Sequence, residues 1–174
     1  YKESMLKYGT DKPDLRNPLI INDLTNVFKT TTFKPFYNTP VRGIKVSNIG
    51  DKSNSWFNEI VDYASSIGMP GIGYITYNGN LSFKGPIDKF LTDDERRKLI
   101  SLLDLKENDV LFFIASHKDV NKLAGLIRIF LGNKLELIDN NRFEFCIVND
   151  FPMFEYNEEE KKIDFTHNPF SMPK

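Results

Sequence analysis

Apolar residues recur along the middle of the chain with two spacings, one typical of strands and one typical of helices. Residues 41–46 alternate between apolar and polar positions, as a half-buried strand does. Residues 54–67 place apolar side chains on one helical face, and Ser53 or Asn54 can cap that helix. Gly68 and Pro70 are expected to end it.

A pair of strands follows this helix. Residues 71–77 and 81–84 have strand patterns, and Asn78 and Gly79 lie between them. Both residues tolerate a positive φ, so they predict a tight hairpin turn.

The next signals predict a helix, a strand and a last helix. Thr92 and Glu95 have the spacing of a capping box that opens a helix to about residue 103. Residues 109–115 are a nearly continuous apolar run, which is typical of a strand buried on both faces. Ser116 and Asp119 precede a helical apolar stripe that Gly132 is expected to end.

The order β-α-β-β-α-β-α over residues 41–131 predicts an α+β fold. We expect a two-layer sandwich, in which a mostly antiparallel sheet is covered by helices on one face.

The flanking segments carry weaker signals. Residues 3–8 are predicted to be the last turns of a helix that ends at Gly9. Asp23 can cap a short helix through Lys29, and residues 30–40 have an edge-strand pattern interrupted by prolines. Residues 143–165 are predicted to return to strand, with a hairpin through residues 157–162.

Composition narrows the class of protein. A chain of 174 residues with 40% apolar residues can form one domain with a sizeable core. A net charge of −1 argues against a strongly basic nucleic-acid binder. The single cysteine, Cys146, excludes an internal disulfide, fits a reducing compartment and is expected to be buried.

Targeting and transmembrane signals are not apparent in the sequence. No apolar run approaches the roughly 18 residues that span a bilayer, and no signal-peptide pattern is visible. Because the sequence begins at Tyr1 inside a helix pattern, we expect a fragment of a longer protein.

Two segments near the ends combine charge, proline and aromatic residues. Asp11 and Asp14 flank Lys-Pro in a stiff loop, which can hold a carboxylate in place for an ammonium group, although Asp14 is more simply paired with Arg16. His167 and Asn168 precede a proline, which favours an extended backbone there. No cluster of residues has the spacing of a metal site.

These segments resemble three motifs of the bacterial aspartyl-tRNA synthetase family, a class II family. Residues 8–16 read Tyr-Gly-Thr-Asp-Lys-Pro-Asp-Leu-Arg, and residues 150–155 read Asp-Phe-Pro-Met-Phe-Glu. Residues 167–173 read His-Asn-Pro-Phe-Ser-Met-Pro. All three are similar to that family's motifs in order and spacing. The intervening stretch then resembles the GAD insertion domain that bacterial members carry.

The resemblance implies a division of the chain into three parts. Residues 1–30 are a strip of the catalytic domain with its connection, residues 31–140 are the GAD insertion domain, and residues 141–174 are the return strip.

For the whole enzyme, the resemblance implies aspartate–tRNA ligase activity in the cytoplasm. ATP, with magnesium, activates aspartate, which is then transferred to tRNA(Asp); charging of tRNA(Asn) is left open. A homodimer and no membrane association are expected. Asp11 is implied to bind the substrate ammonium, and His167 and Asn168 to lie beside the substrate aspartate. Asn168 departs from members that have a second histidine.

The ATP-binding motifs of the family, Phe-Arg-x-Glu and a glycine-rich motif with its arginine, are absent from this sequence. We therefore expect no catalytic residue, ATP site or metal site here, and no activity of the fragment alone. The alternative is a free-standing GAD-type module that binds tRNA or a protein. This alternative rests on the middle of the chain, which is predicted to fold by itself, and on the basic residues Arg96, Arg97 and Lys98, which could contact tRNA. These three residues are more simply interpreted as solvated surface.

Overall fold

A computed structural model describes residues 1–157 and 160–165. The main sheet contains five strands: β1 (Ile21–Asp23), β2 (Val41–Val46), β3 (Gly73–Tyr77), β4 (Phe83–Lys84) and β5 (Val110–Ala115). The helices are α1 (Lys2–Tyr8), α2 (Asn54–Ser66), α3 (Asp93–Leu103) and α4 (Val120–Lys134), with a 3-10 turn at Asp88–Phe90. Two further strands, β6 (Phe154–Asn157) and β7 (Lys162–Phe165), form a separate hairpin.

The main sheet has the order β1-β2-β5-β3-β4, and every neighbouring pair is antiparallel. Its central strand, β5, pairs with β2 so that Phe112 lies opposite Ile44. This arrangement confirms the predicted α+β fold with an antiparallel sheet. Within the described residues, none of the helices is both long and apolar enough to cross a membrane.

Both faces of this sheet are buried, whereas the helices were expected to cover one face. On one face, Phe112 packs in a core with Ile60 of α2 and Ile127 of α4. On the other face, Phe113 packs in a second core with Leu99 of α3 and with residues from segment 24–36. The side chains of β5 alternate between the two cores, so a continuous apolar strand requires a cover on each face.

The predicted caps of α2 and α3 form, whereas Asp119 at the start of α4 makes no side-chain capping bond. The Oγ atom of Ser53 accepts a hydrogen bond from the backbone N–H of Trp56 and caps α2. At α3, Thr92 and Glu95 cap each other's backbone N–H groups at 2.8 and 3.3 Å, which completes the capping box. These bonds satisfy N–H groups that a helix start otherwise leaves unpaired.

The predictions for segment 23–40 are wrong in detail. Residues 24–30 form turns rather than a helix, and residues 31–40 contain no strand. The carboxylate of Asp23 accepts a hydrogen bond from Thr25 N–H at 2.9 Å, which caps a local turn. Phe28 and Phe36 lie 4.8 Å apart between ring centroids and are buried against the sheet. Covering this face with large side chains decides the conformation of the segment, and helical or strand periodicity does not.

Two turn predictions also need correction. The β3–β4 hairpin exists, but Gly79, Asn80 and Leu81 all have positive φ, so the turn is longer than the predicted two-residue one. Gly132 does not end α4, which continues to Lys134. A Cβ at Gly132 would come within 2.2 Å of the Asn17 side chain, so packing against that side chain explains this glycine.

The C-terminal segment only partly matches its prediction. The β6–β7 hairpin is present, but residues 143–148 form no strand. Their alternating apolar side chains are almost fully exposed: Phe143 at 83%, Phe145 at 91% and Ile147 at 93%. Cys146 is also exposed, so the expected burial of its thiol is wrong. Nothing in the described chain covers these side chains, and the strand pattern therefore has no sheet to join.

Candidate functional site

Residues 9–17, here called the Asp11 loop, begin where α1 ends. Gly9 adopts the left-handed conformation with φ of 72° and donates its N–H to the Met5 carbonyl, which ends the helix as predicted. The Ser4 hydroxyl of α1 donates a 2.6 Å hydrogen bond to the Thr10 carbonyl. The first residues of the loop are therefore tied back onto the helix.

An internal ion pair stiffens the second half of the loop. The Arg16 guanidinium donates to both carboxylate oxygens of Asp14, at 2.9 and 2.7 Å, and the Arg16 backbone N–H donates to the same carboxylate at 3.0 Å. The hydrogen bond from the Arg16 side chain is the main cause that lowers the pKa of Asp14. The predicted Asp14–Arg16 pair is therefore present, and the Asp14 carboxylate stabilises the loop.

The Asp11 carboxylate, unlike that of Asp14, has no partner among the described residues. Asp11 is half-buried. Among residues 1–157 and 160–165, its carboxylate accepts no hydrogen bond and joins no ion pair. A carboxylate without a partner in a stiffened loop is available to a cationic ligand group, such as an ammonium.

The Asp11 loop lies directly on α4. A Cβ built on Gly125 would come within 2.8 Å of the Gly9 carbonyl oxygen, and one on Gly9 would come within 2.5 Å of the Gly125 Cα atom. Two backbones can approach this closely only because both residues lack a side chain. The contact fixes the start of the loop against the middle of α4.

Arg128 of α4 makes the principal polar contact with the loop. Its side chain is fully buried, at 1% exposure, and its guanidinium donates to three backbone carbonyls of the loop and of the chain that follows it. The acceptors are Leu19 at 2.5 Å, Asp14 at 3.0 Å and Asn17 at 2.7 Å. Burial lowers the pKa of Arg128, and the nearby Tyr8 and Asp14 oppose that shift. Because a buried charge must be hydrogen-bonded, these contacts are obligatory for the fold.

Asn17 completes the attachment from the loop side. Its side-chain amide donates to the Arg128 carbonyl at 3.0 Å, and its side-chain oxygen accepts from the Leu19 N–H at 3.1 Å. Beside this junction is an open groove of about 860 Å³, lined on one side by Asp14, Arg16 and Asn17 and on the other by the C-terminal half of α4.

The two end segments of the chain meet at the start of α1. The Tyr1 and Phe151 rings lie 5.1 Å apart between centroids. The remaining predicted site residues, His167 and Asn168, lie outside the residues that the structure describes. Their position relative to Asp11 therefore stays a prediction.

Sequence reasoning missed Arg128. A signal was available, because Arg128 is the one charged residue within the apolar segment 123–131. A charge inside such a segment must either reach solvent or find buried acceptors. The structure shows the second outcome.

Of the three basic residues of α3 that were interpreted as solvated surface, only Arg96 differs from that prediction. Arg96 is largely buried, pairs with Asp88 at 2.7 Å and lies over the Phe83 ring at 5.6 Å. Arg97 and Lys98 are exposed, and Lys98 pairs with Asp94. Within the described residues, no three His, Cys, Asp or Glu side chains are grouped to hold a metal ion.

Comparison with known proteins places the central fold in a family. The GAD domain profile matches residues 35–124, just over half of the chain. The chain belongs to the GAD domain family. The matched residues include β2, α2, β3, β4, α3 and β5, together with the start of α4.

Longer proteins with similar sequences extend the match beyond the GAD domain on both sides. The chain is 43% identical to the aspartate–tRNA(Asp/Asn) ligase of Ehrlichia chaffeensis and 42% identical to that of Rickettsia canadensis. Identity to the corresponding ligase of Erythrobacter litoralis is 49%. Each alignment covers 99% of this chain but only 30% of the relative's length. These matches confirm the resemblance predicted from the end motifs.

Proposed function

We propose that this chain is the GAD insertion domain of an aspartate–tRNA ligase together with adjoining segments of its catalytic domain. The observation that carries the proposal is the coverage of the alignments. They include 99% of the chain, and therefore the Asp11 loop and the C-terminal segment as well as the GAD domain. A free-standing GAD module does not need those flanking segments.

The whole enzyme activates aspartate with ATP and magnesium and transfers the aspartyl group to tRNA in the cytoplasm. Because the relatives are named for both tRNA(Asp) and tRNA(Asn), we include both tRNAs in the proposal. ATP and magnesium bind parts of the longer protein that carry the family's ATP motifs, and the whole enzyme is a homodimer.

The Asp11 loop supplies one side of the aspartate pocket. Asp11 is half-buried, and its carboxylate has no partner among the described residues, which suits it to bind the substrate ammonium. We assign His167 and Asn168 to positions beside the substrate aspartate. An Asn amide at position 168 donates hydrogen bonds but carries no charge, so His167 is the residue of the pair that can supply charge.

The exposed segment 143–148 supports the same proposal. Its apolar side chains Phe143, Phe145 and Ile147 are 83 to 93% exposed, and exposing several large apolar side chains to water in one segment is unfavourable. We propose that the remainder of the longer protein covers these side chains and provides the strands with which the segment pairs.

An exchange assay tests the proposal. Aspartate-dependent exchange of radioactive pyrophosphate into ATP is expected for the full-length protein and is not expected for residues 1–174 alone. Asparagine and glutamate serve as competing substrates in the same assay. Exchange that depends on another amino acid, or clear exchange by residues 1–174 alone, would overturn the proposal.

Asp11→Asn tests the residue assignment within that assay. The substitution keeps the shape of the side chain and removes the charge, so the KM for aspartate is expected to rise at least about tenfold, as for loss of a charge-assisted hydrogen bond. Asp62→Asn is the matched control, because Asp62 is exposed on α2. Equal behaviour of the two variants would remove Asp11 from the site.

The alternative, a tRNA-binding module, is weakened by the structure of α3. Of its three consecutive basic residues, Arg96 is occupied by Asp88 and Lys98 by Asp94. Binding of tRNA to residues 1–174 at low salt, with affinity that falls steeply as salt rises, would favour this alternative.

A further inference from the structure

We propose that α4 positions the substrate-binding loop of the ligase through Arg128, assisted by the Gly9–Gly125 contact. This inference rests on the proposed function, because it assigns a role within the aspartate site. Arg128 would act on the substrate only through the Asp11 loop, because it contacts the backbone of that loop and has no bond to Asp11 itself. It is therefore a positioning residue.

The guanidinium fixes three points along a short stretch of backbone. It holds the carbonyls of Asp14, Asn17 and Leu19, and all three bonds lie between 2.5 and 3.0 Å. A planar group with donors in fixed directions can satisfy such acceptors in only one arrangement. The end of the Asp11 loop is thus held in one place relative to α4.

The loop also holds the helix, so the attachment is reciprocal. The Asn17 amide donates to the carbonyl of Arg128, and the Arg128 guanidinium lies over the Tyr8 ring at 5.0 Å. Tyr8 and Asn17 stand at the two ends of the segment that contains Asp11. The same side chain therefore contacts both ends of the segment that contains Asp11.

The glycine contact adds a second fixed point next to Asp11. Gly9 precedes Asp11 by two positions, and its backbone lies against the Gly125 backbone. Any side chain at position 125 would push this part of the loop away from α4, since the Gly9 carbonyl oxygen lies 2.8 Å from the Cβ position. α4 thus sets how closely the backbone that leads to Asp11 approaches the helix.

Positioning and general stability make different predictions for the kinetics. If α4 positions the Asp11 loop, loosening it affects the binding of aspartate more than the binding of ATP, which we place outside this chain. If Arg128 only stabilises the fold, loosening it lowers the amount of active enzyme and leaves both KM values unchanged.

Arg128→Lys in the full-length protein separates these possibilities. Lysine keeps the charge but cannot hold three carbonyls in a fixed plane. In the exchange assay the KM for aspartate is expected to rise about 10- to 100-fold, the range for a small misplacement of a binding group, while the KM for ATP changes less than about twofold. Arg97→Lys is the control, because Arg97 is exposed on α3.

Gly125→Ala provides a second variant with the opposite effect on the helix. Alanine stabilises a helix interior relative to glycine, so the change in helix propensity alone would not impair the enzyme. The inference instead predicts a raised KM for aspartate, because the new Cβ displaces the Asp11 loop. Gly71→Ala is the matched control, since a Cβ at Gly71 meets nothing within 4 Å.

Hydrogen exchange of the Asp11 loop distinguishes failure of this inference from failure of the proposed function. If the unmodified full-length protein shows no aspartate-dependent exchange of pyrophosphate into ATP, the proposed function fails. Hydrogen exchange at the amides of residues 9–17 still reports how firmly the Asp11 loop is held against α4. Both Arg128→Lys and Gly125→Ala are expected to exchange these amides at least about tenfold faster, by loss of native hydrogen bonds. Unchanged amide exchange, or equal rises in both KM values, would overturn the inference.

Discussion

Gly9→Ala is the substitution that most directly measures how tightly the Asp11 loop is held against α4. Gly9 has a φ of 72°, so any other residue there adopts a strained left-handed conformation. A Cβ at this position would also lie 2.3 Å from the Asn121 carbonyl oxygen and 2.5 Å from the Gly125 Cα atom. Both neighbours are backbone atoms and cannot rotate away.

The expected loss of stability follows from these two effects. The left-handed conformation costs about 1–2 kcal/mol for an alanine. Forcing a methyl group into a filled contact costs about 1–3 kcal/mol more. The free energy of unfolding should therefore fall by about 2–5 kcal/mol in total, which is a large share of the stability of an ordinary domain.

Urea unfolding of residues 1–174 gives the measurement, with Gly68→Ala as the control. Gly68 has a similar φ of 85°, but a Cβ there meets nothing within 4 Å. The control therefore carries the conformational cost without the clash. We expect Gly9→Ala to be less stable than Gly68→Ala by at least about 1 kcal/mol. Equal stability of the two variants would refute the tight contact between the loop and α4.

Three further predictions concern the capping box, one ion pair and the thiol. Thr92→Ala should destabilise the chain by about 1 kcal/mol in urea unfolding, whereas Thr92→Ser should not, because only alanine removes the cap for Glu95. The Arg16 contact lowers the pKa of Asp14, so the pair stabilises the fold at neutral pH and this stability is lost as the pH falls through the lowered pKa. Asp14→Asn should thus cost about 0.2–1 kcal/mol near neutral pH, with a difference that disappears in acid unfolding experiments. The exposed Cys146 thiol should react with Ellman's reagent in native residues 1–174 and more slowly in the full-length protein. Equal reaction rates in the two proteins would contradict the proposed covering of segment 143–148.

Local sequence signals predicted the elements of the main sheet well. Ser53 and Thr92 cap their helices through residues within three positions. The alternation of β2 and the continuous apolar run of β5 likewise need no distant information. Segment 23–40 was mispredicted because its large side chains cover the second face of the sheet, and no local period describes such a cover. Segment 143–148 has a strand pattern but, within the described chain, no partner strand.

The site was only partly accessible to sequence reasoning. The Asp11 loop and the Asp14–Arg16 pair followed from the motif and from residue spacing. The role of Arg128 did not, because its acceptors lie 109 to 114 positions earlier in the chain. Gly132 was misread for the same reason, since Asn17, which excludes a side chain there, is equally remote in sequence.

Attachment of labelled aspartate to tRNA by the full-length protein tests the proposed ligase most directly. We expect ATP-dependent aspartylation of tRNA(Asp) and of tRNA(Asn), strong loss of both with Asp11→Asn, and normal activity with Asp62→Asn. A purified, folded full-length protein that leaves both tRNAs uncharged at saturating aspartate and ATP would contradict it.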